Sequence, residues 1–541
     1  MQPSTVAKRA GLLLFAAVAA FYLYGLNHLP LVGPDEPRYA QVAREMFLRG
    51  DWITPMLGAH TWFEKPVLLY WGMIASYKLF GVSEQAARFG PALAGILTVF
   101  SVWWIARRIE RASGLRGLAF IATIVIATSG GLIVFSRGAS FDILITMTIS
   151  WALCFFLAYE TDERHRNIFL IGFYCFVGLS LLAKGLIGLI LPFGIIAAFY
   201  ALRWRWCRRE LWVSILWGGP LTVLVAATWY APVIARHGWP FINEFFVQHH
   251  FARYFSNKYQ HPQPIYFYLP VMLMLALPWT VFLIDSLVRI KRWERRSDDS
   301  LNIARVFALA WFVVPILFFS FSGSKLPAYV LPALPAAALL IGERVTAFVR
   351  GNSTATTMRI TAVTCLVLAA GGAVFARSSG NVPLACVVLL AAIAAACALI
   401  SFFLASKPTV ALASIAAVPV VVTLIALNCG AGEIGARNSV RDLIRRADAE
   451  GYNGSRLLMF NRIERTSEFY ASGRVVYGSD GDPVKVENPD EVMAELRKNN
   501  ATLLMIVPLG SLTRLQNMQA IEVKVIGDNG RNAIVAVDMK R

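Results

Sequence analysis

The chain has little charge, and of that charge little is acidic. Charged residues make up 16% of its 541 residues, with 33 Asp and Glu against 51 Lys and Arg. Such a composition excludes an ordinary soluble protein. Cysteine is scarce too: seven, an odd number, at 154, 175, 207, 365, 386, 397 and 429, mostly inside apolar runs and without metal-ligand spacing. They are expected as small core residues and not as a disulfide framework. No GxxxxGK[ST] phosphate loop is present, and no repeated half is visible of the kind many transporters carry.

What is abundant is hydrocarbon: 57% hydrophobic residues and a mean hydropathy of +0.57. Runs long enough to cross about 30 Å of lipid fall near 10–26, 86–106, 117–135, 141–159, 168–183, 186–202, 212–234, 265–288, 304–322, 327–348, 360–377, 382–405 and 409–428. The first run is long and lacks a small-residue cleavage site, so it is expected as a retained anchor. The net charge of +18 is distributed as membrane topology rather than as a nucleic-acid surface. With the amino terminus inside, RRIERASGLR, RWRWCRRE and RIKRWERRSDD all face the cytoplasm, as the Lys/Arg rule requires. The same parity keeps the short apolar segment 65–80 on the outer surface, since a crossing there would invert every later loop.

The expected architecture is therefore an α-helical polytopic membrane protein of about thirteen transmembrane helices. Residues 1–429 form the membrane domain, with interfacial helices in outer loops 27–85 and 235–264. From 430 to 541, SVRDLIRRADAEG, RLLMFN, TLLMIV and AIVAVDM read as alternating helix and strand, a small outer α/β domain.

The outer loops hold the charge that needs explaining. GPDEPRYAQVAREMF places Asp35 and Glu36 at the start of an amphipathic helix, with Tyr39, Val42, Ala43, Met46 and Phe47 on one face and Arg38, Gln41, Glu45 and Arg49 on the other. Glu36 fits a helix-starting acid before Pro37, a role that leaves Asp35 unaccounted for. HTWFEKP repeats the acid-then-proline theme with Glu64 and Lys65, so two helix starts are expected to face one site. Arg137, Lys184 and Lys325 stand at the outer ends of other spans. Each alone reads as a snorkelling head group; together they point to an anionic ligand, a lipid phosphate fitting best. Asp142 lies at the same depth, with Arg137 as its expected partner. QHHFARYF and KYQHPQP supply His249, His250, Arg253, Lys258 and His261. A divalent ion on Glu64 and His249 is one reading, histidines bonded to backbone or phosphate the other, and no required cofactor is the default.

An outer site has no access to cytoplasmic activated nucleotides, so a transferred group must arrive on a flipped lipid carrier. A polyprenyl-phosphate sugar meets that need: the phosphate leaves, nearby cations stabilise its charge, and a carboxylate serves the acceptor or the transition state. GPDEPRYA, GDWITP, WFEKPVLLYW, HPQPIYFYLP and FSFSGSKLPAYVLPALPAAALL resemble the bacterial lipid A aminoarabinose transferases, relatives of the protein O-mannosyltransferases, over about the first 350 residues. The resemblance implies a type C glycosyltransferase fold. It also implies transfer of 4-amino-4-deoxy-L-arabinose from undecaprenyl phosphate to lipid A phosphates on the periplasmic face of a bacterial inner membrane, with resistance to polymyxin and cationic peptides. It further implies Asp35 as the acid, with Lys65, Lys325 and Tyr329 in the site. The full expectation is catalytic Asp35 and Glu36; phosphate ligands Arg38, Lys65, Arg137, Lys184, Arg253, Lys258 and Lys325; and substrate contacts Tyr39, Trp62, Asp142 and Tyr329. Membrane lipids surround a monomer, and nucleic acid is not a partner. The alternatives are a related transferase acting on protein hydroxyls or another glycolipid, and a flippase for lipid-linked sugars.

Overall fold

A computed structural model describes residues 5–58, 60–252, 263–351, 355–379, 382–499 and 501–540. Among these, nine helices are long and apolar enough to cross a membrane. The thirteen apolar runs correspond to these nine, to the shorter apolar helices Gly11–Leu23, Leu118–Ala127 and Ile187–Arg203, and to one run that is broken. That run divides into Tyr268–Leu275 and Thr280–Val288 around a cis Leu277–Pro278 bond. The third run is also interrupted, between α5 (Leu118–Ala127) and α6 (Gly130–Phe135). The two breaks face each other. Gly130 N–H donates to Leu277 O at 2.8 Å and Trp279 Nε1 to Thr128 Oγ1 at 3.0 Å. Backbone groups freed in an apolar environment must find such partners, and Gly131, on which a Cβ would lie 2.8 Å from Leu275 Cβ, permits the approach.

The loops gather at two opposite faces. At one, ion pairs tie the basic loops together: Arg108 with Asp162, Arg166 with Glu210 at 3.1 Å, and Arg203 with Asp298 at 2.9 Å. At the other lie α2 (Asp35–Arg49), the short antiparallel pair β1 (Met56–Leu57) and β2 (His60–Thr61), and α3 (Leu68–Phe80). The apolar face of α2 packs inward as its periodicity predicts, with Tyr39, Val42, Ala43 and Met46 buried. Gln41, expected on the polar face, is buried too; its amide donates to Glu45 Oε1 at 3.1 Å, so the pair satisfies itself within the helix. α3 buries Tyr70, Met73 and Tyr77 against the neighbouring helices, and Tyr77 Oη reaches Ala40 O at 3.1 Å.

Beyond the last apolar helix, Pro408–Ile425, the carboxyl-terminal region forms a five-stranded sheet in the order β4-β3-β5-β7-β6. The strands are β3 (Leu457–Phe460), β4 (Lys485–Val486), β5 (Leu503–Pro508), β6 (Ile521–Asp528) and β7 (Asn532–Met539). β3 runs parallel to β4 and β5, and β7 antiparallel to β5 and β6. Alternate residues face opposite sides. Leu458, Met505 and Val535 pack under Val492 and Leu496, while Met459, Ile506 and Ile534 pack under Leu443 and Ile444. The stretch GAGEIG at 430–435 has dinucleotide-loop spacing but follows a helix rather than a strand, and helix Ala431–Asn438 runs through it, so it makes no phosphate cradle.

One cysteine expectation is overturned. Cys386 and Cys429 form a disulfide across 5.9 Å between Cα atoms. Both lie in apolar runs, yet each sits near the end of its helix on the side of the carboxyl-terminal domain, where two antiparallel neighbours bring the thiols together.

Candidate active site

Just after the first apolar helix the chain must turn back onto the membrane surface, and Arg88 organises that turn. From the start of α4 (Glu84–Ser113) its guanidinium donates to Leu26 O and Pro30 O at 2.8 and 2.9 Å, and also to Leu29 O. The Glu36 carboxylate completes this knot. It accepts from Arg88 Nε and Nη2 at 2.7 and 2.8 Å, from Val32 N at 3.1 Å and from Ala139 N at 2.9 Å. Both oxygens are thereby occupied, whereas Asp35, one residue earlier, is 53% exposed and has Arg38 Nη2 at 2.6 Å.

Asp35 borders a cavity of about 750 Å³ whose wall also carries Glu36, Tyr39, Glu64, Lys65, Asp142, Lys184 and Tyr329. The remainder of the wall is largely apolar and includes Val134, Ile187, Ile190 and Phe318. Lys184 reaches it because α8 (Arg166–Lys184) stops at Gly185, whose φ of 73° only glycine adopts cheaply. α9 (Ile187–Arg203) then returns so tightly that a Cβ on Gly188 would lie 2.4 Å from the Ser180 carbonyl carbon. The Lys184 ammonium bonds Asp142 and stands 4.5 Å from the centre of the Tyr329 ring. Asp142 begins α7 (Phe141–Thr161), and Ser140 Oγ donates to its Oδ2 at 3.0 Å. Glu64 pairs with Lys65 at 2.7 Å. The acids on this wall are thus each matched by a base: Asp35 with Arg38, Glu36 with Arg88, Glu64 with Lys65, and Asp142 with Lys184.

Arg38 stands behind the wall. Its Nε donates to Pro34 O at 2.8 Å and its guanidinium stacks 5.3 Å from the centre of the Trp62 ring. Burial works against its charge, but Glu64 and Asp35 hold its pKa above the usual arginine value. Tyr39 is buried edge-on to Phe141 at 4.9 Å. Burial, reinforced by Asp35 and Glu64, keeps its phenol neutral well above the usual tyrosine range.

Not every expected residue meets at the cavity. Arg137 donates instead to Tyr24 O and Phe21 O and stacks on the Phe21 ring at 5.0 Å, away from the wall. Asp142 accordingly takes Lys184, not Arg137, as its partner. Lys325 is buried in its turn and donates to Ser322 O at 2.8 Å and Gln263 O at 3.0 Å, which makes it a brace for the loop that presents Tyr329. Trp62 serves as the platform for Arg38. Arg253, Lys258 and His261 lie outside the described residues, as do the side chains of His249 and His250. Among the described residues no three of His, Cys, Asp and Glu gather as metal ligands, and Glu64 is engaged with Lys65. Sequence reading passed over Arg88, Ser140, Ser322 and Ser324. For Arg88 there was a signal, a lone charge inside an apolar run; for the serines there was none.

A family model described as dolichyl-phosphate-mannose-protein mannosyltransferase matches residues 9–291. Among curated proteins, the undecaprenyl phosphate-alpha-4-amino-4-deoxy-L-arabinose arabinosyl transferase of Erwinia tasmaniensis is 34% identical over 344 residues, 62% of this chain and 59% of that protein. Its namesake in Edwardsiella ictaluri is 34% identical over 370 residues, 66% of this chain and 63% of that protein. The matches thus span about three fifths of those relatives' lengths. The crystal structure of ArnT from Cupriavidus metallidurans bound to undecaprenyl phosphate superposes with a TM-score of 0.78, covering 97% of this chain and 98% of that one at 22% identity, a likeness of fold.

Proposed function

Because this chain belongs to the dolichyl-phosphate-mannose-protein mannosyltransferase family, whose model covers more than half of it, we propose that it is a membrane glycosyltransferase using a polyprenyl-phosphate sugar. The donor is undecaprenyl-phosphate 4-amino-4-deoxy-L-arabinose and the acceptor a lipid A phosphate. The reaction takes place at the periplasmic face of the bacterial inner membrane, and the product carries less negative charge, which protects against polymyxin and other cationic peptides. The names of the curated relatives support this donor.

The observation that carries the reading is the pairing of acids with bases around the cavity. A neutral sugar phosphate would bring only an anion and strand whichever carboxylate lost its cation. An amino sugar on a phosphodiester brings both signs. Its phosphate replaces a carboxylate at Lys65 or Lys184, its ammonium replaces a lysine at Glu64 or Asp142, and no charge is left unpaired in a partly dry site. The polyprenyl chain leaves along the apolar wall past Val134 and Ile190, whose side chains are exposed on the outside of the helices.

In the transfer, a lipid A phosphate oxygen attacks the sugar's anomeric carbon. The bond from that carbon to the donor phosphate oxygen breaks, and undecaprenyl phosphate departs with the electron pair. The acceptor loses one negative charge and the leaving group gains one, so no proton needs to be removed. Lys184 and Lys65 stabilise the growing charge. Asp35 orients the acceptor and the sugar rather than acting as a strong base. Glu36 holds the loop that carries Asp35. For Arg253 and Lys258 the same reading assigns contacts with the second phosphate.

Purified enzyme with synthetic donor tests this. N-acetylation of the donor removes its positive charge and is expected to cut kcat/KM by about 100-fold. Asp35→Asn is expected to lower kcat to a similar degree, about 100-fold, through misplacement, with undecaprenyl phosphate affinity retained. Equal turnover of charged and acetylated donors defeats the amino-sugar assignment. A wild-type rate in Asp35→Asn removes Asp35 from the mechanism.

A further inference from the structure

We infer that Glu468, in the carboxyl-terminal domain, is a positioning residue of the transfer site: it shares the Arg38 guanidinium with Asp35 and so sets how tightly Asp35 is held. The inference rests on the role given to Asp35 above.

The domain is seated directly on the element that carries Asp35. Helix Thr466–Tyr470 lies against α2. Arg44 donates to Phe469 O at 3.3 Å and to Ser472 Oγ at 3.0 Å, and the Tyr470 hydroxyl accepts from Leu31 N at 2.7 Å. The Tyr477 ring covers Gly58 so closely that a Cβ there would lie 2.2 Å from it. Within this contact Glu468 is fully buried. One oxygen accepts from Arg465 Nη1 at 2.8 Å; the other, Oε2, is buried without a hydrogen-bond donor among the described residues. Arg465 in turn holds Asp482 at 2.7 Å.

A carboxylate so placed is a poor device for stability, because an apolar side chain packs as well without the desolvation cost. Its surroundings explain it better. The charges alternate from the domain surface to the cavity: Asp482, Arg465, Glu468, Arg38, Asp35. Glu468 and Arg38 stabilise each other's charged forms. While Glu468 is ionised, the guanidinium is pulled from both sides and Asp35 exchanges readily to an incoming substrate. With Glu468 neutral, Arg38 has Asp35 as its closest carboxylate and holds it away from the reaction.

A double-mutant cycle on the full-length enzyme in nanodiscs, with undecaprenyl-phosphate aminoarabinose and lipid A, reads this out. Glu468→Gln is expected to lower kcat about tenfold, with the donor KM, the affinity for undecaprenyl phosphate and the thermal midpoint close to wild type. In an Arg38→Gln background the same change is expected to alter kcat less than about twofold, because the intermediary is gone. Additive losses, an unchanged kcat in Glu468→Gln, or a loss of activity that tracks a lowered thermal midpoint each overturn the inference. An inactive wild type instead faults the donor assignment. The cycle is then run with polyprenyl-phosphate mannose, and the same criteria decide the role of Glu468.

Discussion

At the scale of single residues the site is governed by what each charge would lose if its partner were removed. Lys184 and Asp142 are mutually dependent, each about four-fifths buried, with Ser140 as the third member. Lys184→Gln leaves the Asp142 carboxylate without its counter-charge, a loss of about 3 kcal/mol. The expected outcome is a clearly lowered thermal midpoint in detergent together with loss of turnover. Adding Asp142→Asn is expected to restore most of the stability and none of the turnover, since the leaving phosphate still lacks its cation. Parallel melting and activity measurements on the two variants check this; recovery of turnover in the double variant removes Lys184 from the chemistry. The residue types of this group were legible in the sequence, as acids and cations at the outer ends of apolar runs. Their pairing was not. Arg137 and Lys184 stand at equivalent ends of their helices, and only the direction in which each end points separates the one that stacks on Phe21 from the one that meets Asp142.

At the scale of elements, the first outer segment stands on one buried arginine. Arg88 satisfies three carbonyls of the turn after α1 (Thr5–Leu23) and both oxygens of Glu36. Glu36 in turn fixes Ala139 at the entrance to α7. Replacing Arg88 with leucine buries those carbonyls and a carboxylate without partners, at a cost of about 3–5 kcal/mol. The segment 24–83 is therefore expected to become susceptible to protease in Arg88→Leu, with the helices from α4 onward intact; limited proteolysis followed by mass spectrometry reads the cleavage sites. Wild-type resistance of that segment refutes the anchoring role. Here the sequence was legible in part. The period-3.6 pattern of 37–49 places α2 well, because an amphipathic helix announces its buried face. A buried polar knot between residues 52 positions apart leaves no periodic trace, and so Glu36 read equally well as a helix-starting acid and as a catalytic one.

At the scale of the molecule, the parity of apolar runs placed the acids, the cations and the α/β domain on one face, and that geography supports the functional reading. The Cys386–Cys429 disulfide lies toward that same face, which accords with an oxidising compartment. What composition could not reveal is that the soluble domain reaches the site, since Glu468 sits among residues that read as an ordinary small helix. The consequence is a pH dependence with opposite signs for stability and rate. Burial pushes the Glu468 carboxyl up to about 6, against the pull of Arg465 and Arg38, with Asp482 adding to the rise. A carboxyl whose folded pKa lies above its ordinary value of 4.5 favours the fold most when protonated. Its contribution is complete below that ordinary value and is lost as pH rises through about 6. Turnover follows the other form, because only ionised Glu468 draws Arg38 away from Asp35. The acceptor phosphate also ionises near pH ~6, so the wild-type enzyme is expected to lose kcat on acidification with the steepness of two protonations. Glu468→Gln is expected to lose it with that of one, while gaining thermal stability relative to wild type as pH rises above about 6. Rate profiles of both proteins between pH 5 and pH 8 decide the matter: acid limbs of identical slope sever the domain from the chemistry, and a shallower limb in the variant ties a carboxylate outside the membrane domain to the fate of Asp35 within it.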